Sequence, residues 1–220
     1  LTKIKTKQIL KRERNMKKII LVLCLLTFIL PIKAQQKVGE YTNSYVSKTF
    51  SIEAVEKNNK IEKVYIGIPT VLESRTYSRA ADIVVKGKDI ELFKTALELA
   101  RDKFSEWKKV AKENNVTEMD KEMGINFPKV TVAWLYGRKW WFSWGNKINL
   151  KFLTLKILDN TRCIALWAPT VTSSTNRYID QEIYFVFGDE EDFNSIINQL
   201  DSQRILNELL NTKNNSELFH

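Results

Sequence analysis

The sequence predicts an α+β fold: an antiparallel β-meander sheet packed with one long amphipathic helix and a C-terminal helix. Three observations predict it. Short segments with alternating apolar and polar residues recur along the chain, separated by Asn- and Gly-bearing turns that suit hairpins. One apolar stripe at helical spacing lies between Asp89 and Asn114. A second follows the acidic run Asp189-Glu190-Glu191-Asp192.

In chain order, the first feature is a leader rather than a fold element. Met16 to Ala34 reads MKKIILVLCLLTFILPIKA. Lys17 and Lys18 give a positive start, Ile19 to Leu30 an apolar run broken only by Thr27, Pro31 a helix stop, and Ala34 a small residue before a cut at Gln35. That is the plan of a secretory signal peptide of bacterial type. The run is 12 residues long, against about 20 for a spanning helix, so no retained transmembrane helix is expected. Cys24 is followed by more apolar residues and does not suit lipidation. Leu1 to Asn15, polar and basic, read as an over-extended start or a long positive region, and 1–34 is set apart from the fold.

Residues 35–210 are expected to form a single α+β domain. Gln35 to Lys48 is polar and reads as an irregular or edge-pairing entry. Phe50, Ile52 and Ala54 alternate with Ser51 and Glu53, Asn58-Asn59 supplies a turn, and Val64, Ile66 and Ile68 complete a hairpin. Thr70 to Arg79 reads as a loop and Ala81 to Val85 as a third strand closed by Gly87. Phe93, Leu97, Ala100, Phe104, Trp107 and Ala111 then mark one face of a helix, with Asp89 as N-cap and Asn114 as stop. At 1.5 Å per residue that helix is about 39 Å long. The stripe covers fewer than four heptads, which favours a helix lying on a sheet over a coiled-coil partner. Strands follow near Val130–Tyr136, Trp140–Trp144, Ile148–Leu158, Thr161–Trp167 and Ile179–Phe187, with two-residue turns at Gly137-Arg138, Gly145-Asn146 and Asp159-Asn160. Asp189 to Leu210 is helical, with Phe193, Ile196, Ile197 and Leu200 inside. Asn211 to His220 is polar and reads as a disordered tail.

Composition excludes several classes of function. Residues 1–34 carry nine of the 35 basic residues and one of the 26 acids, which leaves 26 against 25 in the remaining 186 residues. Nearly all of the formal charge of +9 therefore lies in residues 1–34, and nucleic acid is not the expected partner. The single histidine, His220, excludes a Ser-His-Asp triad, a Cys-His pair and a multi-histidine zinc site built from this chain. Cys163, left alone after cleavage, forms no internal disulfide and reads as an inert packed thiol. No Gly-rich phosphate loop, dinucleotide fingerprint or GxSxG occurs, and no cofactor or metal is expected.

The richest stretch is VTVAWLYGRKWWFSWGNKINLKF, with four of the six tryptophans. Two-residue turns pair Trp134 with Trp141 and Trp141 with Leu150. Val132, Trp134, Trp141, Ile148, Leu150 and Phe152 then face the core. Trp140, Phe142 and Trp144 face away, with Lys147 and Lys151 as a basic rim. An aromatic ledge of this kind binds flat amphipathic ligands, sugar rings among them, unless another layer covers it. The acidic run reads as a cap on the second helical region, with Asp189 at its start. Asp180 and Glu182, two apart on a strand, are the one candidate carboxylate pair. The expectation is an exported, non-catalytic binding or interaction domain of the bacterial envelope. It sits in the periplasm, on the surface or outside, and contacts glycan, lipid or another envelope protein through the ledge. The alternatives are a carboxylate-dependent secreted hydrolase and a structural assembly subunit.

Overall fold

The computed structural model describes residues 35–70, 81–157 and 160–217, with side chains to residue 212. The expected signal peptide, nearly all of the loop expected over Thr70–Arg79, and Asp159 lie outside the described residues. Among the described residues, no helix is long and apolar enough to cross a membrane.

The first sheet has six antiparallel strands in the order β1-β2-β3-β4-β6-β7. They are β1 (Gln36–Asn43), β2 (Lys48–Lys57), β3 (Lys60–Ile68), β4 (Ala81–Lys86), β6 (Val130–Tyr136) and β7 (Lys139–Asn146). The polar entry segment is thus an edge strand. Asn58 and Asn59 hold φ of 55° and 58°, and Gly137 and Arg138 hold 60° and 64°. Both pairs are the left-handed dipeptide that a tight right-twisted hairpin needs. The period-2 pattern turns Ile52, Ala54, Val64, Ile66, Ile83, Val85, Val132 and Trp134 to one buried face.

Helix α1 (Ile90–Glu113) follows a single 3₁₀ turn at Gly87–Asp89. Phe93, Leu97, Ala100, Phe104 and Ala111 are buried as the spacing predicts, while Trp107 is only partly covered. Asp89 occupies the N-cap position, but its side chain makes no capping hydrogen bond. The 3₁₀ turn ahead of it carries the chain into the helix instead, and the cap-residue backbone N–H of Ile90 donates to the Gly87 carbonyl.

The expected single meander is divided. A second antiparallel sheet has the order β12-β9-β8-β5, formed by β5 (Met119–Glu122), β8 (Lys151–Ile157), β9 (Asn160–Trp167) and β12 (Phe185–Phe187). Gly145-Asn146 makes no hairpin turn, and Trp141 does not pair with Leu150. Gly145, at φ 74°, lies opposite a register shift between Val130 and Val132, and the Asn146 side chain folds back to donate to the Ser143 carbonyl at 2.8 Å. The chain then leaves the first sheet and buries Ile148, Leu150 and Phe152 in the common core. The expected strand Ile179–Phe187 is likewise two. β11 (Asn176–Glu182) pairs with β10 (Thr170–Ser173), and β12 joins β9. All three β12 residues are buried, so this strand does not alternate.

Residues 189–210, expected as one helical region, form α2 (Glu190–Ile197) and the start of α3 (Ser202–Glu217). Asp189 caps α2 by accepting from the Asp192 N–H at 3.0 Å, as the sequence predicts. Asp201 restarts the helix by accepting from the Arg204 N–H at 2.7 Å. The helix does not end at Leu210: its backbone runs on to Glu217, into the expected tail. Helix elongation adds one hydrogen bond per residue once a turn exists, which carries the polar residues along. Helix α3 packs on β1, β2 and β3, and α1 packs on both β4 and β8–β9. One apolar core results, shared by both sheets under α1.

Candidate functional site

The hairpin β6–β7 positions the candidate ledge. Its two-residue turn sets the register Tyr136–Lys139, Leu135–Trp140, Trp134–Trp141 and Ala133–Phe142. Trp134 is therefore fully buried and Trp141 partly buried on the core side. Trp140, Phe142 and Trp144 stand on the other side with 41%, 37% and 61% of their surface exposed. Alternate strand positions place these rings about 7 Å apart along the strand. The edge beyond β7 is met by the β10–β11 hairpin. Ser174 donates its N–H to the Phe142 carbonyl at 2.8 Å, and its Oγ accepts from the Trp144 N–H at 3.0 Å. The ledge backbone is pinned on both sides while its rings stay open.

The basic rim is not assembled. Lys151 belongs to β8 in the second sheet, where it pairs with Asp120 at 3.1 Å. Lys147 is exposed in the segment between the two sheets. Both were placed beside the ledge by a hairpin at Gly145-Asn146 that the chain does not make.

The structure puts a different polar group on that face. Cross-strand partners run from Phe142 to Ala133, Asp82 and Gly67, so small residues flank one carboxylate. Burial, and then the charge of Glu53, push the Asp82 carboxyl up to about 7. Glu53 lies one row away, opposite Tyr65, and accepts from the Ser51 hydroxyl at 3.2 Å. Sequence reading missed Asp82 because its neighbours come from β2, β3 and β6. Its only sequence signal was a charge inside the apolar strand Ala81–Val85.

The other candidates serve the fold. Asp180 and Glu182 are both exposed on β11, and Glu182 accepts from the Tyr184 hydroxyl at 3.2 Å. Cys163 is half-buried, and its burial raises the thiol pKa, which keeps it protonated and unreactive. Asp192, in the acidic run, is buried and does more than favour a helix end. It accepts from the Ser44 N–H at 2.7 Å, the Ser44 hydroxyl at 2.9 Å and the Gly188 N–H at 2.6 Å, tying the β1–β2 turn to α2.

The fold and this face define an α+β domain with an open aromatic strand. No family model matches the chain, and the comparisons with curated proteins and solved structures found no match.

Proposed function

We propose that the chain is an exported, non-catalytic binding module of the bacterial envelope, and that its β7 ledge takes the rings of a neutral glycan. The observation that carries this is the exposure of Trp140, Phe142 and Trp144 on one face of a single strand. Flat apolar ring faces of sugars stack on such side chains, and polar groups alongside hold the hydroxyls. Without an assembled lysine rim, the ledge suits a neutral glycan better than an anionic one. A carboxyl that titrates near neutrality both donates to and accepts from hydroxyl groups. Export rests on the Met16–Ala34 leader, and mass spectrometry of the native product is expected to find Gln35 at its start.

Titration with soluble neutral oligosaccharides, followed by tryptophan fluorescence, tests the ledge. The wild-type chain is expected to respond. A Trp140→Ala, Phe142→Ala, Trp144→Ala variant with unchanged circular dichroism is expected to bind at least about tenfold more weakly. A full response in that variant overturns the proposal. A wild-type dimer that the same variant dissociates, with no sugar response, would assign the ledge to assembly instead.

A further inference from the structure

Past Phe104, the last turns of α1 pack incompletely against the second sheet. Two cavities lie there, both lined by Ala111 and Val116. The first is walled by Trp107, Val110, Met119 and Phe152, with Lys121 at its side, and holds about 130 Å³. The second is lined by Lys108, Lys112, Thr117, Thr161 and Cys163 and holds about 310 Å³, the low end of a small-ligand pocket at roughly 300–1,000 Å³.

A polar atom lies between them. Thr154 of β8 pairs with Met119 of β5 on one side and Cys163 of β9 on the other. Directly opposed residues of antiparallel strands point to the same side of the sheet. Met119 lines the first cavity and Cys163 the second, so the Thr154 side chain stands in the row that joins them. That residue is 4% exposed, and its hydroxyl has no hydrogen-bond partner. A buried hydroxyl left unpaired is unfavourable, and a ligand atom with a lone pair relieves that.

Charge at this place is one-sided. Among the described residues, no carboxylate lines either cavity. Lys108 is held by Glu190 at 2.9 Å, and that contact with its neighbouring hydrogen bonds outweighs burial and lowers the Glu190 pKa. Lys121 instead lies over the Trp107 ring at 4.9 Å from its centroid, as does Lys103. Lys112 and Lys121 make no ion pair among the described residues. An apolar slot, a buried hydroxyl and two ammonium groups not paired with a carboxylate complement one chemistry. We propose that this slot binds a free single-chain amphipathic carboxylate of the fatty-acid class, its chain against Trp107, Val116 and Phe152 and its head at Lys112 and Lys121. The small volumes of the two cavities, about 130 and 310 Å³, favour the free acid over a two-chain bilayer lipid.

Calorimetric titration of the folded chain with dodecanoate, below its micelle threshold, tests this. Dodecanoate is expected to bind, and dodecyltrimethylammonium at the same concentration is expected not to. Lys112→Gln with Lys121→Gln, both at exposed positions that leave folding intact, is expected to weaken binding at least about tenfold. Thr154→Val is expected to weaken it by a smaller factor. The triple-alanine ledge variant is expected to bind dodecanoate normally, which separates this site from the glycan face. Absence of dodecanoate binding, equal affinity for the cationic amphiphile, or an unchanged affinity in the lysine variant overturns the proposal. Binding to anionic phospholipid vesicles without binding of free dodecanoate overturns it in favour of a membrane surface.

Discussion

Asp82 is the residue whose chemistry most depends on the fold. Its carboxyl rises from the ordinary 3.8 to about 7, first through burial and then through Glu53. The folded state therefore holds the proton more tightly than the unfolded state. Below about pH 4 both states are protonated and Asp82 costs nothing. As pH rises from about 4 to 7 the unfolded chain ionises first, and stability falls; above 7 the loss is complete. At about 1.4 kcal/mol per pKa unit, reduced by partial solvent access, the full loss is about 1–4 kcal/mol. Asp82→Asn removes this dependence. Urea unfolding at pH 4, 5.5, 7 and 8 is expected to show the variant gaining on the wild type as pH rises, then levelling off. A constant gap across that range would contradict the burial of this carboxyl. Residues of this kind mark the limit of a single sequence. The ledge was legible at Trp140, Phe142 and Trp144 because one two-residue turn fixes which side each ring faces. Asp82, the Asp192 clamp and the orphan Thr154 hydroxyl were not, since their partners lie on elements distant in the chain.

At the scale of elements, local turn chemistry decided what was legible. Asn58-Asn59 and Gly137-Arg138 adopt the left-handed pair and close their hairpins. Gly145-Asn146 has similar residues, but only Gly145 has positive φ, and the chain crosses to a second sheet. The reason is tertiary: Ile148, Leu150 and Phe152 gain more by burial in the common core than by extending an edge that β10–β11 already meets. Strand β5 was invisible because Met119–Glu122 is exposed throughout and has no alternation. Helix α1 was legible almost to the residue, yet its start depends on a close approach that periodicity does not encode. A Cβ at Gly87 would overlap the backbone carbonyl oxygen of Ile61 on β3. Gly87→Ala must push the 3₁₀ turn off the hairpin, because a backbone oxygen has no rotamer to escape into. The expected cost is about 1–3 kcal/mol, read as a lower urea midpoint at unchanged m-value. A neutral effect would mean that β3 and the entry to α1 are not in contact in solution.

For the whole molecule the question is whether two sheets make one folding unit. Among the described residues, no strand pairing joins the six-stranded sheet to the four-stranded one. Their connection is side-chain packing, and α1 supplies its centre. Phe104, fully buried, packs on Phe152 of β8 with ring centroids 5.8 Å apart and on Phe193 of α2 at 5.7 Å. Phe93, about three turns earlier, reaches Phe185 of β12 at 6.4 Å. These rings join the same core as Ile83 and Val132 of the first sheet. Neither sheet covers its inner face without the helix, so the two are expected to unfold together. Trp134 reports on the first sheet and Trp167 on the second, since both are buried there. Variants that keep one or the other as the sole core tryptophan are expected to give coincident urea transitions, matching far-ultraviolet circular dichroism. Phe104→Ala, at a cost of about 3–5 kcal/mol, is expected to move both transitions by the same amount. Two separated midpoints, with only the Trp167 transition shifted, would mean that the four-stranded sheet is a subdomain with its own stability.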